Sequence, residues 1–81
     1  MNKEMESQFL PIICRWAKAI ANIERSGPKE AMLWIGVEHG IDQAVFELSL
    51  CRFDGFGFDE FKAVREAATK MAGELLDGGG E

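Results

Sequence analysis

Two segments of the chain repeat their apolar residues at the three- and four-residue spacing of an amphipathic α-helix. The stripe in the first segment is Phe9, Ile13, Trp16, Ile20 and Ile23. The stripe in the second is Phe61, Val64, Ala68, Met71 and Leu75. Each segment is therefore predicted to form a helix that buries one face.

Signals at the ends of these segments set their expected limits. Ser7 is a plausible N-cap, and Pro11 is tolerated only within about the first turn, where its missing N–H costs little. Ser26, Gly27 and Pro28 end the first helix, because glycine suits a left-handed position and proline cannot continue the helix. The glycine run at 78–80 ends the second.

The segment between the helices, residues 31–51, alternates in a way that is typical of two short strands. Leu33 and Ile35 alternate with Met32 and Trp34, and the turn falls at 39–42 around Gly40. Pairing residue 38 with residue 43 places the larger apolar side chains on one face of the hairpin, against the helices. The opposite face then carries Met32, Trp34, Val45 and Glu47.

The expected fold is a small α+β domain with α-β-β-α order, in which two amphipathic helices pack on one face of an antiparallel hairpin. The alternative is an all-α three-helix fold, because Pro28 to Ala31 also resembles a helix start. One domain spans residues 1–81, with flexible ends at 1–6 and 77–81.

The charge is concentrated in the middle of the chain. The net charge is −5, and residues 26–61 alone hold two basic and seven acidic side chains. This balance argues against direct nucleic-acid binding, which needs clustered Lys and Arg. It favours a protein partner with a basic surface.

The two cysteines and the short apolar runs indicate a cytoplasmic protein. Cys14 and Cys51 lie in apolar runs and do not form a disulfide framework. We expect no signal peptide and no membrane span, because no run approaches about 18 apolar residues. A reducing compartment is the simplest setting.

We expect no catalytic residues, metal site or cofactor. His39 lies in the predicted turn without a neighbouring nucleophile. The acidic residues of the 54–60 segment lack calcium-loop spacing, so Asp59 or Gly57 more simply caps the last helix. Gly55-Phe56-Gly57 has too few glycines for a phosphate loop.

Trp34, with Met32 and Val45, is the expected centre of a partner-binding surface, because an apolar patch with a Trp anchor is typical of interfaces. If the strand parity is reversed, Trp34 belongs to the core instead. The remaining predicted partner-binding residues are Glu38, Asp42, Glu47, Asp54, Phe56 and Asp59.

These features favour a non-enzymatic protein-binding module that occupies a partner's surface. Its size and acidity resemble those of inhibitors or regulators of host complexes, such as anti-defence proteins, encoded by phages and mobile elements. A homodimer through the hairpin edges would satisfy the open strand edges. Two alternatives are an accessory subunit that docks through Arg15, Lys18 and Arg25, and a ligand-binding protein or enzyme with a pocket at Phe53, Phe56 or Phe58.

Overall fold

A computed structural model describes residues 3–51 and 55–78, and they form three helices. Helix α1 spans Lys3–Arg25, α2 spans Pro28–Cys51 and α3 spans Phe58–Gly78. The described residues contain no strand. The predicted α+β fold with its hairpin is therefore wrong, and the all-α three-helix alternative is confirmed.

The helical character of α2 follows from its start and from the spacing of the residues it buries. Pro28 occupies the first helical position, where its missing N–H costs nothing, and Glu30 lies in the positively polarised first turn. The side chains that α2 turns inward recur at intervals of three and four residues: Ala31, Trp34, Glu38, Ile41, Val45 and Leu48. Gly40 lies inside the helix rather than in a turn, at a propensity cost of about 1 kcal/mol.

The false hairpin pattern has a physical origin. The first half of α2 carries apolar side chains on every side of the helix, so an alternating subset can be found within it although the buried residues follow a helical period. A run of consecutive apolar residues such as Leu33, Trp34 and Ile35 is compatible with the two-residue period of a strand and with the 3.6-residue period of a helix. Burial then decides between them, and in this chain it follows the helix.

Helix α1 is longer than predicted. It begins at Lys3, so Ser7 and Pro11 lie inside it rather than at its start. Pro11 is exposed and removes one backbone donor without ending the helix. The predicted stripe is confirmed, because Ile13 and Trp16 are buried and its other members are half-buried.

Helix α3 is closed at both ends by specific hydrogen bonds. The Gly57 N–H donates to Glu60 Oε1 at 2.8 Å, which is the glutamate half of a capping box, and the Phe61 N–H donates to the Gly57 carbonyl at 3.0 Å as the first bond of the helix. At the other end, the Arg25 guanidinium of α1 donates to the Leu75 carbonyl at 2.5 Å. Gly57 is thus the cap that the sequence suggested.

The three helices share one core within a molecule of 38 × 24 × 16 Å. Its buried members are Ile13, Trp16, Val45, Phe56, Phe61, Val64 and Ala68. Aromatic rings join its parts: Phe9 stacks on Phe56 with centroids 4.6 Å apart, and Phe46 meets Phe61 edge-on at 5.4 Å. The α2 residues that join this core all come from the second half of that helix: Ile41, Val45, Phe46 and Leu48.

Candidate protein-binding surface

The first half of α2 exposes four large apolar side chains. Met32 is 74% exposed, Leu33 69%, Ile35 50% and Val37 42%. Single exposed apolar residues are ordinary, but contiguous apolar patches on small proteins mark interaction sites. We call the exposed part of this half the outer surface of α2. Gly36 and Gly40 lie at its centre with Met32 and Leu33 beside them, and Ile35 and Val37 lie at its two opposite edges, about 160° apart around the helix.

This half of α2 contacts the rest of the molecule through a narrow strip. Ala31, Trp34 and Glu38 are half-buried, whereas most of the residues between them are exposed. The buried Trp16 indole donates from Nε1 to Glu38 Oε1 at 3.2 Å and joins α1 to α2. Since the segment is apolar on all sides, a narrow inward strip leaves the remaining apolar residues in solvent.

The middle of the outer surface has open space above two glycines. A Cβ atom added at Gly36 or at Gly40 would meet no heavy atom within 4 Å. Their four-residue separation places both on one side of the helix. Another backbone can therefore approach α2 closely at this point.

Opposite charges lie at the two ends of the same side of α2. At about 100° per residue, Lys29 and Glu47 point in nearly the same direction as Gly36 and Gly40. Both are exposed, and neither forms an ion pair within residues 3–51 and 55–78. The outer surface thus has a cation beyond one end and an anion beyond the other.

The structure separates the predicted apolar site residues. Met32 is strongly exposed and lies on the outer surface. Trp34 is half-buried on the inward strip of α2. Val45 and Phe56 are 2% and 1% exposed and belong to the core.

The predicted acidic residues do not form one rim. Glu38 faces inward and accepts the Trp16 hydrogen bond, while Asp42 is half-buried beside it on α2. Glu47 is exposed on the opposite side of α2, and Asp59 is exposed in the first turn of α3. Asp54 lies outside the described residues.

Three residues of the outer surface were missed as partner-binding candidates. The hairpin prediction placed Leu33, Ile35 and Val37 against the helices, whereas the structure exposes all three. A helical projection of residues 28–51 would have found them, because it shows apolar residues outside any single face in the first half.

The residues of the alternative chemical hypotheses have separate positions in the described part of the chain. Among the described residues, no group of three His, Cys, Asp or Glu side chains could hold a metal ion. His39 is exposed on α2, and both cysteines are free thiols. Of the three residues predicted to line an aromatic pocket, Phe56 is buried against Phe9, and Phe53 lies outside the described part of the chain. Phe58 is 59% exposed and lines an open surface pocket with Leu50 and Glu60.

The cationic residues of α1 have separate positions. Arg15 and Lys18 are exposed, but the Arg25 guanidinium is engaged by the Leu75 carbonyl at the end of α3. The three residues predicted as one docking ridge therefore include one with a structural partner.

Comparison with protein-family models, with curated proteins and with solved structures finds no match to this chain.

Among the helices in residues 3–51 and 55–78, none combines the length and the apolar content that crossing a lipid bilayer requires.

Proposed function

We propose that this chain is a small, acidic, non-enzymatic protein-binding module that acts by occupying the surface of another protein chain. The observation that supports the proposal is the outer surface of α2, where four large apolar side chains are 42–74% exposed on one half of one helix. Desolvation of such a patch is the main favourable term in protein association.

The shape of the outer surface suits a helix as its occupant. The centre of the surface is a strip along α2 in which Gly36 and Gly40 carry no side chain that would hold a second backbone away. Met32 and Leu33 project beside this gap and would pack against the occupant.

The charge and the cysteines support narrower parts of the proposal. A net charge of −5 would steer the module toward a partner with a basic surface. Two free thiols suit a reducing, cytoplasmic setting. Small size and acidity support a role as an inhibitor or regulator of the kind that phages encode.

Site-specific photo-crosslinking tests the proposal. A photoreactive amino acid is placed at Leu33 or, as a control, at exposed Gln8 on α1, and each protein is irradiated in an extract of the native cell. We expect protein adducts at position 33 and none at position 8. Each captured protein is then purified and titrated with the wild-type chain, Leu33→Glu and Gln8→Glu.

Binding in the purified system should be lost with Leu33→Glu and retained with Gln8→Glu, which changes the charge by the same amount. Equal crosslinking at both positions, or equal binding by both variants, would overturn the assignment of the outer surface.

A further inference from the structure

We infer that the outer surface of α2 binds the same surface of a second copy of this chain, with the two α2 helices antiparallel. This inference rests on the proposed function's assignment of the outer surface, and it replaces the basic partner, because a second copy carries the same net charge of −5. The attraction that it uses is local to α2. The observation that selects a second copy is the charge pattern of α2, which is complementary to itself when one helix is reversed.

The key residues are spaced symmetrically about position 38. Lys29 lies nine residues before it and Glu47 nine residues after it. Gly36 and Gly40 lie two residues on either side. All four face the same side of the helix at about 100° per residue.

A two-fold axis beside position 38 therefore brings complementary groups together. Lys29 meets Glu47 of the partner subunit, and the same contact forms a second time by symmetry. Gly36 meets Gly40 of the partner subunit, so the two helices approach closely at their crossing point. Leu33 then packs over the partner subunit's Ala44, beside the crossing.

A parallel pairing of the same two surfaces is disfavoured. It would set Lys29 against Lys29 of the partner subunit and Glu47 against the partner's Glu47, and like charges in contact repel. Because both charges are exposed and lack an ion-pair partner within the described chain, they are available for the antiparallel contact.

This interface replaces the homodimer expected from hairpin edges, which have no counterpart in a helical segment. A single helix pair buries an area at the low end for specific complexes, so we expect a Kd of the order of micromolar. Self-association would cover Leu33 and Met32 beside the crossing, and another protein could bind the centre of the outer surface only by displacing the second copy.

Sedimentation equilibrium on the purified full chain tests the inference through a charge-reversal cycle. The samples are the wild type, Lys29→Glu, Glu47→Lys and the double variant, with a reducing agent present because Cys51 is exposed. We expect a reversible dimer for the wild type. Each single reversal should weaken the dimer about tenfold, since two contacts per dimer change from attraction to repulsion.

The double variant should recover most of the wild-type affinity, because the reversed charges are again complementary. Circular dichroism should show equal helicity in all four proteins, since both side chains are exposed. Recovery in the double variant would support the antiparallel register, and a dimer with no recovery would overturn it.

A wild-type chain that stays monomeric at about 1 mM would overturn self-association altogether. That result does not decide the proposed function, which crosslinking from Leu33 to a different protein would still support. Crosslinks from Leu33 only to other copies of this chain would instead support the inference.

Discussion

The two halves of α2 are both rich in apolar residues, but they have different surroundings. The second half places Val45 in the core at 2% exposure, with Ile41 and Phe46 packed beside it. The first half leaves Met32 74% exposed and Leu33 69% exposed. Hydrophobic composition alone therefore does not determine which half stabilises the fold.

This difference assigns separate roles to the two halves. Burial of apolar area stabilises the folded chain, so the second half should carry most of the folding energy of α2. The first half has apolar area that folding leaves in water, and association with another chain can bury it. The helix thus joins a folding surface to a binding surface.

The two halves should differ most in how much stability the chain loses when a charge replaces one apolar residue in each. Val45→Asp should destabilise the fold by about 3–5 kcal/mol or prevent folding, because it buries an unpaired carboxylate. Leu33→Asp should change the free energy of unfolding by no more than about 0.5 kcal/mol. Urea unfolding followed by circular dichroism, at a concentration that keeps the chain monomeric, checks both values.

Val45 and Val37 are a matched pair of valines, one in each half of α2. Val45→Ala should cost about 2 kcal/mol, because it removes two methyl groups from a packed site and leaves a cavity. Val37→Ala, at a residue 42% exposed, should cost less than about 0.5 kcal/mol. Similar losses from the two substitutions, measured by thermal or urea unfolding, would contradict the division of α2.

The hydrogen bond between Trp16 and Glu38 lies between the two halves and should have an intermediate effect. Glu38→Ala should cost about 1–2 kcal/mol, because the buried indole N–H loses its acceptor. Glu38→Gln should cost less, since the amide oxygen can still accept. If Glu38→Ala in a Trp16→Phe background costs as much as in the wild type, the bond contributes nothing to stability.

The smallest expected effect is a gain in stability from the binding surface. Gly36→Ala should stabilise the monomer by about 0.5–1 kcal/mol, because the new Cβ has open space and alanine favours a helix. The same substitution should weaken the dimer, since it separates the crossing helices. Unfolding of the dilute protein and sedimentation of the concentrated protein measure these opposite effects.

The sequence predicted the two amphipathic helices well because each has one apolar stripe. Ile13 and Trp16 in α1, and Phe61 and Val64 in α3, are buried as their spacing indicated. The Gly57 cap was also visible in the sequence. In both helices, periodicity and burial agree.

The prediction failed for α2 because its first half has no single polar face. Burial in that half is decided by a narrow contact with α1 through residues such as Glu38, and no periodicity shows which apolar residues are left outside. Consequently Val45 was predicted on the binding surface but lies in the core, and Leu33 was predicted inside but lies outside. The error in fold produced the error in the site.

Methyl NMR with a soluble paramagnetic probe observes both halves of α2 in one sample, so it compares their exposure under identical conditions. We expect the Val45 methyl signals to resist broadening at every protein concentration. The Leu33 methyl signals should broaden strongly in dilute protein and become protected as the concentration rises through the dimer Kd. Leu33 methyls protected at all concentrations, or Val45 methyls broadened like those of Leu33, would contradict the division of α2 into a folding half and a binding half.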